Sequence, residues 1–142
     1  MLVDANLLIY AFDAGGPFHE PARRWLTDAL DSGRRVGIPT RSITAFVRIV
    51  THPKISSTPV DPATAARVVR RWLAVPSVWV PAPGAAHAAL FCELVERYRP
   101  TGNLVSDTSL AALALEHGLT ICSTDTDFAR FTELTWLNPI TP

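Results

Sequence analysis

The chain is poor in several things, and each lack closes a possibility. Lys54 is the only lysine and Met1 the only methionine. The two cysteines, Cys92 and Cys122, lie far apart in apolar patterns. Neither has metal-like spacing, and the pattern predicts buried free thiols rather than a disulfide. No apolar run approaches the ~20 residues of a membrane helix. The start lacks a basic region followed by a long apolar stretch, so no signal peptide is expected and a cytoplasmic location is the simplest reading. Net charge is also absent, with 13 basic against 13 acidic residues. That excludes a generic electrostatic nucleic-acid binder but not an enzyme acting on nucleic acid. Neither a phosphate-binding glycine loop nor a deaminase signature occurs.

What remains is globular. The 142 residues suffice for one domain with a real core, expected to span 1–142. A 48% hydrophobic share against 18% charged excludes a disordered chain. Strand and helix patterns alternate, which predicts an α/β fold with a mostly parallel sheet. The expected strands are 1–4, 36–39, 78–81, 103–105, 119–123 and 135–137. Helical spacing places Phe18, Ala22, Trp25, Leu26, Ala29 and Leu30 on one inward face, ending near Gly33. A helix over 41–51 turns Ile43, Phe46, Val47 and Val50 inward. One from Asp61 turns in Ala66, Val69, Trp72 and Leu73. One over 84–98 turns in Ala86, Leu90, Leu94 and Tyr98. The last begins near Asp107 and stops at Gly118.

One grammatical unit recurs. The apolar start Met1-Leu2-Val3 stops at Asp4 and turns helical. Asn103-Leu104-Val105-Ser106 stops at Asp107, and Leu119 to Thr124 stops at Asp125, with Asp127 two residues on. Each acid alone reads as a helix N-cap. Together, at one end of one sheet, they would crowd carboxylates into the crevice beyond the strands. Crowded carboxylates repel unless a cation binds, and Mg²⁺ or Mn²⁺ suits an all-oxygen site.

The ordered segments Met1-Leu2-Val3-Asp4-Ala5-Asn6, Phe46 to Pro53, Gly102 to Asp107 and Ser123 to Phe128 resemble those of PIN-domain ribonucleases. The likeness is to VapC toxins of bacterial toxin–antitoxin pairs, particularly the mycobacterial type. Leu110 to Gly118 and Trp136-Leu137-Asn138-Pro139 extend it over essentially the whole chain. The resemblance implies a three-layer α/β/α domain. It also implies Mg²⁺-dependent RNA cleavage by metal-activated water, with 5′-phosphate and 3′-hydroxyl products. Carried over by residue, Asp4, Asp107 and Asp125 are catalytic and metal-binding, and Asp127 is a further metal-binding acid. Asn6 and Ser123 support the site, and Arg48 pairs with a site acid or meets the partner. That partner would be a VapB-type antitoxin whose tail blocks the acidic groove, with the toxin forming a homodimer.

One departure stands out. No carboxylate occurs between Asp31 and Asp61, and Ala45 stands where the family usually places a Glu. Either one ion suffices, or Asp127 substitutes, or activity is low. Arg67, Arg70 and Arg71, at helical spacing, could hold RNA phosphates, though such a cluster is usually a solvated face. Two rival functions stay open. One is a PIN-fold RNA- or protein-binding module weakened in catalysis. The other is a different acidic α/β phosphohydrolase, disfavoured because position 6 is Asn where a second Asp would be needed.

Overall fold

The structure is a computed structural model, described here for residues 1–140. Five two-residue strands form one parallel sheet in the order β3-β2-β1-β4-β5. They are β1 (Leu2–Val3), β2 (Val36–Gly37), β3 (Val78–Trp79), β4 (Ile121–Cys122) and β5 (Trp136–Leu137). Six helices connect them: α1 (Ala5–Phe12), α2 (His19–Asp31), α3 (Thr40–Val50), α4 (Pro62–Leu73), α5 (His87–Tyr98) and α6 (Asn103–Glu116). A short 3₁₀ helix, Thr126–Arg130, comes after β4.

The period-two alternation of a strand divides the core into two layers. Val3 and Cys122 point into a cluster built from α1 to α4, with Leu7, Leu8, Leu26, Phe46 and Val69. Leu2 and Ile121 point the other way, onto Leu94, Leu110, Ala114, Phe128 and Phe131. Helices thus cover both faces, as a buried parallel sheet requires. Leu2, Val3 and Ile121 are fully buried. At roughly 1.5–3 kcal/mol for burying one such side chain, the central strands firmly anchor the residues at their ends.

The register sets two polar residues side by side. Leu2 pairs with Ile121 and Val3 with Cys122, so Asp4 and Ser123 leave the sheet as neighbours. The chain crosses to opposite sides of β1, toward β2 on one hand and β4 on the other. The gap between β1 and β4 is therefore the switch point where α/β folds bind ligands. The hydroxyl of Ser42 donates to Val3 O at 2.9 Å and pins the start of α3 against β1.

Several expectations need correction. Residues 103–105 are not a strand: they open α6, after Gly102 takes a left-handed φ of 58°. The inward set is Leu104, Thr108 and Ala111 at helical spacing, while Val105 and Ser106 face outward. Three residues were too few to distinguish the periods. Asp107 consequently lies inside a helix and caps nothing. Cys92 is a free thiol but exposed, because Leu90 and Leu94 turn inward and position 92 falls on the opposite face. Cys122 is free and buried as expected. Ala65 rather than Ala66 enters the core, and Phe18, Leu73 and Ala86 are exposed. Phe18 precedes its helix and packs on Tyr10 at 5.2 Å. Ile43, Phe46, Val47 and Val50 pack into the core as expected, with Phe46 against Phe12 and Trp72.

Candidate active site

Asp4 caps α1. Its Oδ1 accepts from Ala5 N at 2.7 Å, and its Oδ2 accepts from Ser123 Oγ at 2.7 Å. The Ser123 hydroxyl is a hub. It also accepts from Asn6 Nδ2 at 2.9 Å and from Asp125 N at 3.0 Å. Trp136 Nε1 donates to Ser123 O at 3.0 Å and holds the same residue from behind. One buried hydroxyl thus ties the end of β1, the first turn of α1 and the turn after β4. Asn6 and Ser123, the two residues expected to support the site, are hydrogen-bonded to each other, and Ser123 also to Asp4 and Asp125.

Asp125 caps the 3₁₀ helix through Asp127 N at 2.9 Å. Asp107 arrives from α6. One carboxylate oxygen from each of Asp107, Asp125 and Asp127 lies within 4.8 Å of the others. Asp4 stands beside this trio. Each carboxylate oxygen carries two lone pairs, so the two bonds to Asp4 leave it further acceptor capacity. Asn6 Oδ1 is buried there without a hydrogen-bond partner.

The electrostatics arise from crowding. Burial, reinforced by Asp125 and Asp4, pushes the Asp107 carboxyl up from 3.8 to about 6. Burial also raises Asp4 from its ordinary value, against the bonds from Ser123 and Ala5. Carboxylates held ionised with difficulty, offering only oxygen, fit a hard divalent cation such as Mg²⁺ or Mn²⁺.

Sequence reasoning missed Arg41. Its guanidinium donates to Ser106 O and stands 3.8 Å from Asp107 Oδ1. It faces Asp107, one of the two parts expected of Arg48. Arg48 is exposed and lines a shallow basin with Arg41, Thr44, Ala45 and Ser106. The signal was available: Arg41 precedes Ala45 by four residues and shares its helix face. Arg67, Arg70 and Arg71 lie exposed on α4, and among the described residues no hydrogen bond or ion pair links them to the acids. Asp127 pairs with Arg130 at 2.8 Å.

A parallel sheet with acids gathered at its switch point defines a class that comparison with known sequences makes specific. The sequence model of the PIN domain matches residues 1–134. Ribonuclease VapC37 of Mycobacterium tuberculosis is 38% identical over 138 residues, covering 97% of this chain and 96% of the relative. Ribonuclease VapC33 of the same organism is 34% identical over 140 residues, covering 99% and 98%. The chain belongs to the PIN-domain family and, within it, to the VapC ribonucleases. Among solved structures, VapBC2 from Rickettsia felis bound to a promoter DNA fragment superposes with a TM-score of 0.70 at 16% identity, covering 96% of each chain. FitAB bound to the IR36 DNA fragment gives 0.68 at 15% identity, covering 99% of this chain and 96% of that one. At such identities these two establish the fold, the three-layer α/β/α arrangement.

Proposed function

We propose that this protein is a Mg²⁺-dependent endoribonuclease acting as the toxin of a VapBC-type pair, with Mn²⁺ a possible substitute. The observation that carries this reading is the gathering of Asp107, Asp125 and Asp127 within 4.8 Å beside Asp4. In this reading Asp4, Asp107 and Asp125 hold the cation, and Asp127 completes the set in place of the acid absent at Ala45. A bound divalent cation supplies Lewis acidity and activates water for attack on phosphorus. The chain's own residues do the rest. Ser123 and Asn6 fix the rotamer of Asp4. Arg41, beside Asp107, offsets charge that builds on the phosphate oxygens. Attack by water in line with the P–O3′ bond breaks that bond, so O3′ leaves and takes up a proton as a 3′-hydroxyl, and the phosphate stays on the 5′ end of the other fragment.

The partner is a VapB-type antitoxin. A cleft of about 510 Å³ between α1, α3 and the loop around Ile55 offers it an apolar seat, lined by Ile9, Phe12, Ile49 and Val60 among others. Ile55 is 61% exposed at its rim. The antitoxin tail would offer arginine to the acids. A homodimer belongs to the same reading, and exposed Phe18, Leu73, Val80 and Leu137 are the large apolar side chains open to it. Among the described residues no helix is long and apolar enough to cross a membrane.

The test is cleavage of total cellular RNA. Wild type with Mg²⁺ should cut, EDTA should stop it, and Asp4→Asn and Asp107→Asn should be inactive yet folded. Undiminished cutting by Asp4→Asn at matched purity would reject the site.

A further inference from the structure

The acids do not stand alone at the sheet edge. A second, smaller cavity of about 250 Å³ opens where the start of α3 meets the segment after β3 and the middle of α6. Its walls include Pro39, Pro81, Pro83 and Leu110, and its polar edge includes Thr40 and Ser109. Leu110 lies three residues beyond Asp107 on α6, so the cavity begins one turn, ~5 Å, from the acids. Arg41 lines both this cavity and the basin it shares with Arg48, while its guanidinium reaches toward Asp107. Arg41 therefore borders the cavity, the basin and the acids at once.

The rim is pinned. Glu116 accepts from Gly84 N at 2.8 Å and from Ala86 N at 2.9 Å, and its carboxylate lies so close to Gly84 that a Cβ there would meet it at 2.6 Å. His117 Nε2 donates to Ala82 O at 2.9 Å. A recess held this way is formed before a ligand arrives, so little ordering is needed on binding.

Resting on the ribonuclease reading, we propose that this recess is a base-binding subsite: it takes one unstacked base of single-stranded RNA next to the cleaved phosphodiester. Sequence-specific RNA recognition works on splayed bases, whose flat faces rest on apolar or aromatic surfaces and whose edges meet hydrogen-bonding groups. The recess offers both in a volume for one base, with Arg41 and Arg48 alongside for the phosphates. It selects among RNA sites by the base at one fixed position, and Thr40 and Ser109 are its specificity-determining residues.

The experiment uses RNA hexamers whose 3′ bridging oxygens are replaced by methylene, so that no P–O3′ bond is present to break, with a single abasic residue moved along the sequence, read by fluorescence anisotropy in Mg²⁺. Cut sites of ordinary RNA are mapped in parallel. Wild type should lose about tenfold in affinity when one position is abasic, and much less elsewhere. That position should carry the base preference in the cut-site map. Ser109→Phe fills the recess and should abolish both effects. Thr40→Trp, at an exposed position on its mouth, should do the same without touching the core. A position-specific abasic loss that survives in folded Thr40→Trp overturns the proposal. So does hexamer affinity untouched by both variants, which would give the recess to a protein segment. Wild type that cuts RNA with no abasic-sensitive position overturns the subsite and leaves the ribonuclease standing. Wild type that neither cuts nor binds RNA removes both.

Discussion

Replacing Asp107 with Asn should stabilise the cation-free protein while abolishing its activity. The charge at Asp107 opposes folding. Its carboxyl rises from 3.8 to about 6 on folding, so the native state binds its proton more tightly than the unfolded chain. The native state is therefore favoured at low pH. That advantage is lost as pH rises from about 4 through about 6, and above this window the ionised carboxylate costs the fold. A shift of this size corresponds to about 3 kcal/mol at full value. The side chain is 21% exposed and partly solvated, and Arg41 is already nearby, so about 1–2 kcal/mol is expected in practice. The amide removes the charge with little change of shape. Urea unfolding in EDTA should show Asp107→Asn more stable than wild type by that amount at pH 7.5. The gap should narrow steadily toward pH 4.5, where wild type is mostly protonated. Adding Mg²⁺ should then reverse the order, because only wild type gains from binding. If the variant is less stable than wild type at pH 7.5, or its advantage does not change with pH, the picture of strained, crowded acids is wrong.

Other outcomes rest on the same geometry. Ser123→Ala removes the acceptor of Asn6 Nδ2 and Asp125 N and the donor to Asp4, and should cost about 2–4 kcal/mol by urea unfolding. Its half-maximal Mg²⁺ for cleavage should rise as well. Asp127→Asn should sharply weaken cleavage at low Mg²⁺, whereas Ala45→Glu should leave the Mg²⁺ curve near wild type. A carboxylate at 45 stands between Arg41 and Arg48 on one helix face and pairs with them first; a large drop in the Mg²⁺ requirement of Ala45→Glu would contradict this. Light scattering at micromolar concentration should report a dimer, and mixing with the neighbouring gene's product should give a complex.

The periodic parts of the fold were legible. Apolar spacing located α2 to α5 close to their actual places and the later turns of α6, and the brief strands leading to Asp4 and Asp125 were visible from where apolar runs met an acid. Residues 103–105 misled because a three-residue apolar run satisfies either period, and only the contacts of Thr108 and Ala111 show which applies. The site was legible as a set of acids but not as an arrangement. That Ser123 bonds to Asp4, Asn6 and Asp125 at once depends on the β1–β4 register. Arg41 stayed hidden because an arginine at a helix start looks like any surface charge until the opposing helix brings Asp107 to it.

The hydrogen bond between Ser123 and Asp4 spans 119 positions. β1, made first, sits at the centre of the sheet and has only β2 to lie against until residues 121–122 exist. At ~5–20 residues per second, synthesis leaves an interval on the order of ten seconds between Asp4 and the residues that complete its surroundings. During that time a ribosome carries a growing chain without an assembled acidic centre. On the ribonuclease reading proposed above, the chain would stay inactive throughout most of its translation and gain its activity only once the far side of the sheet has been made.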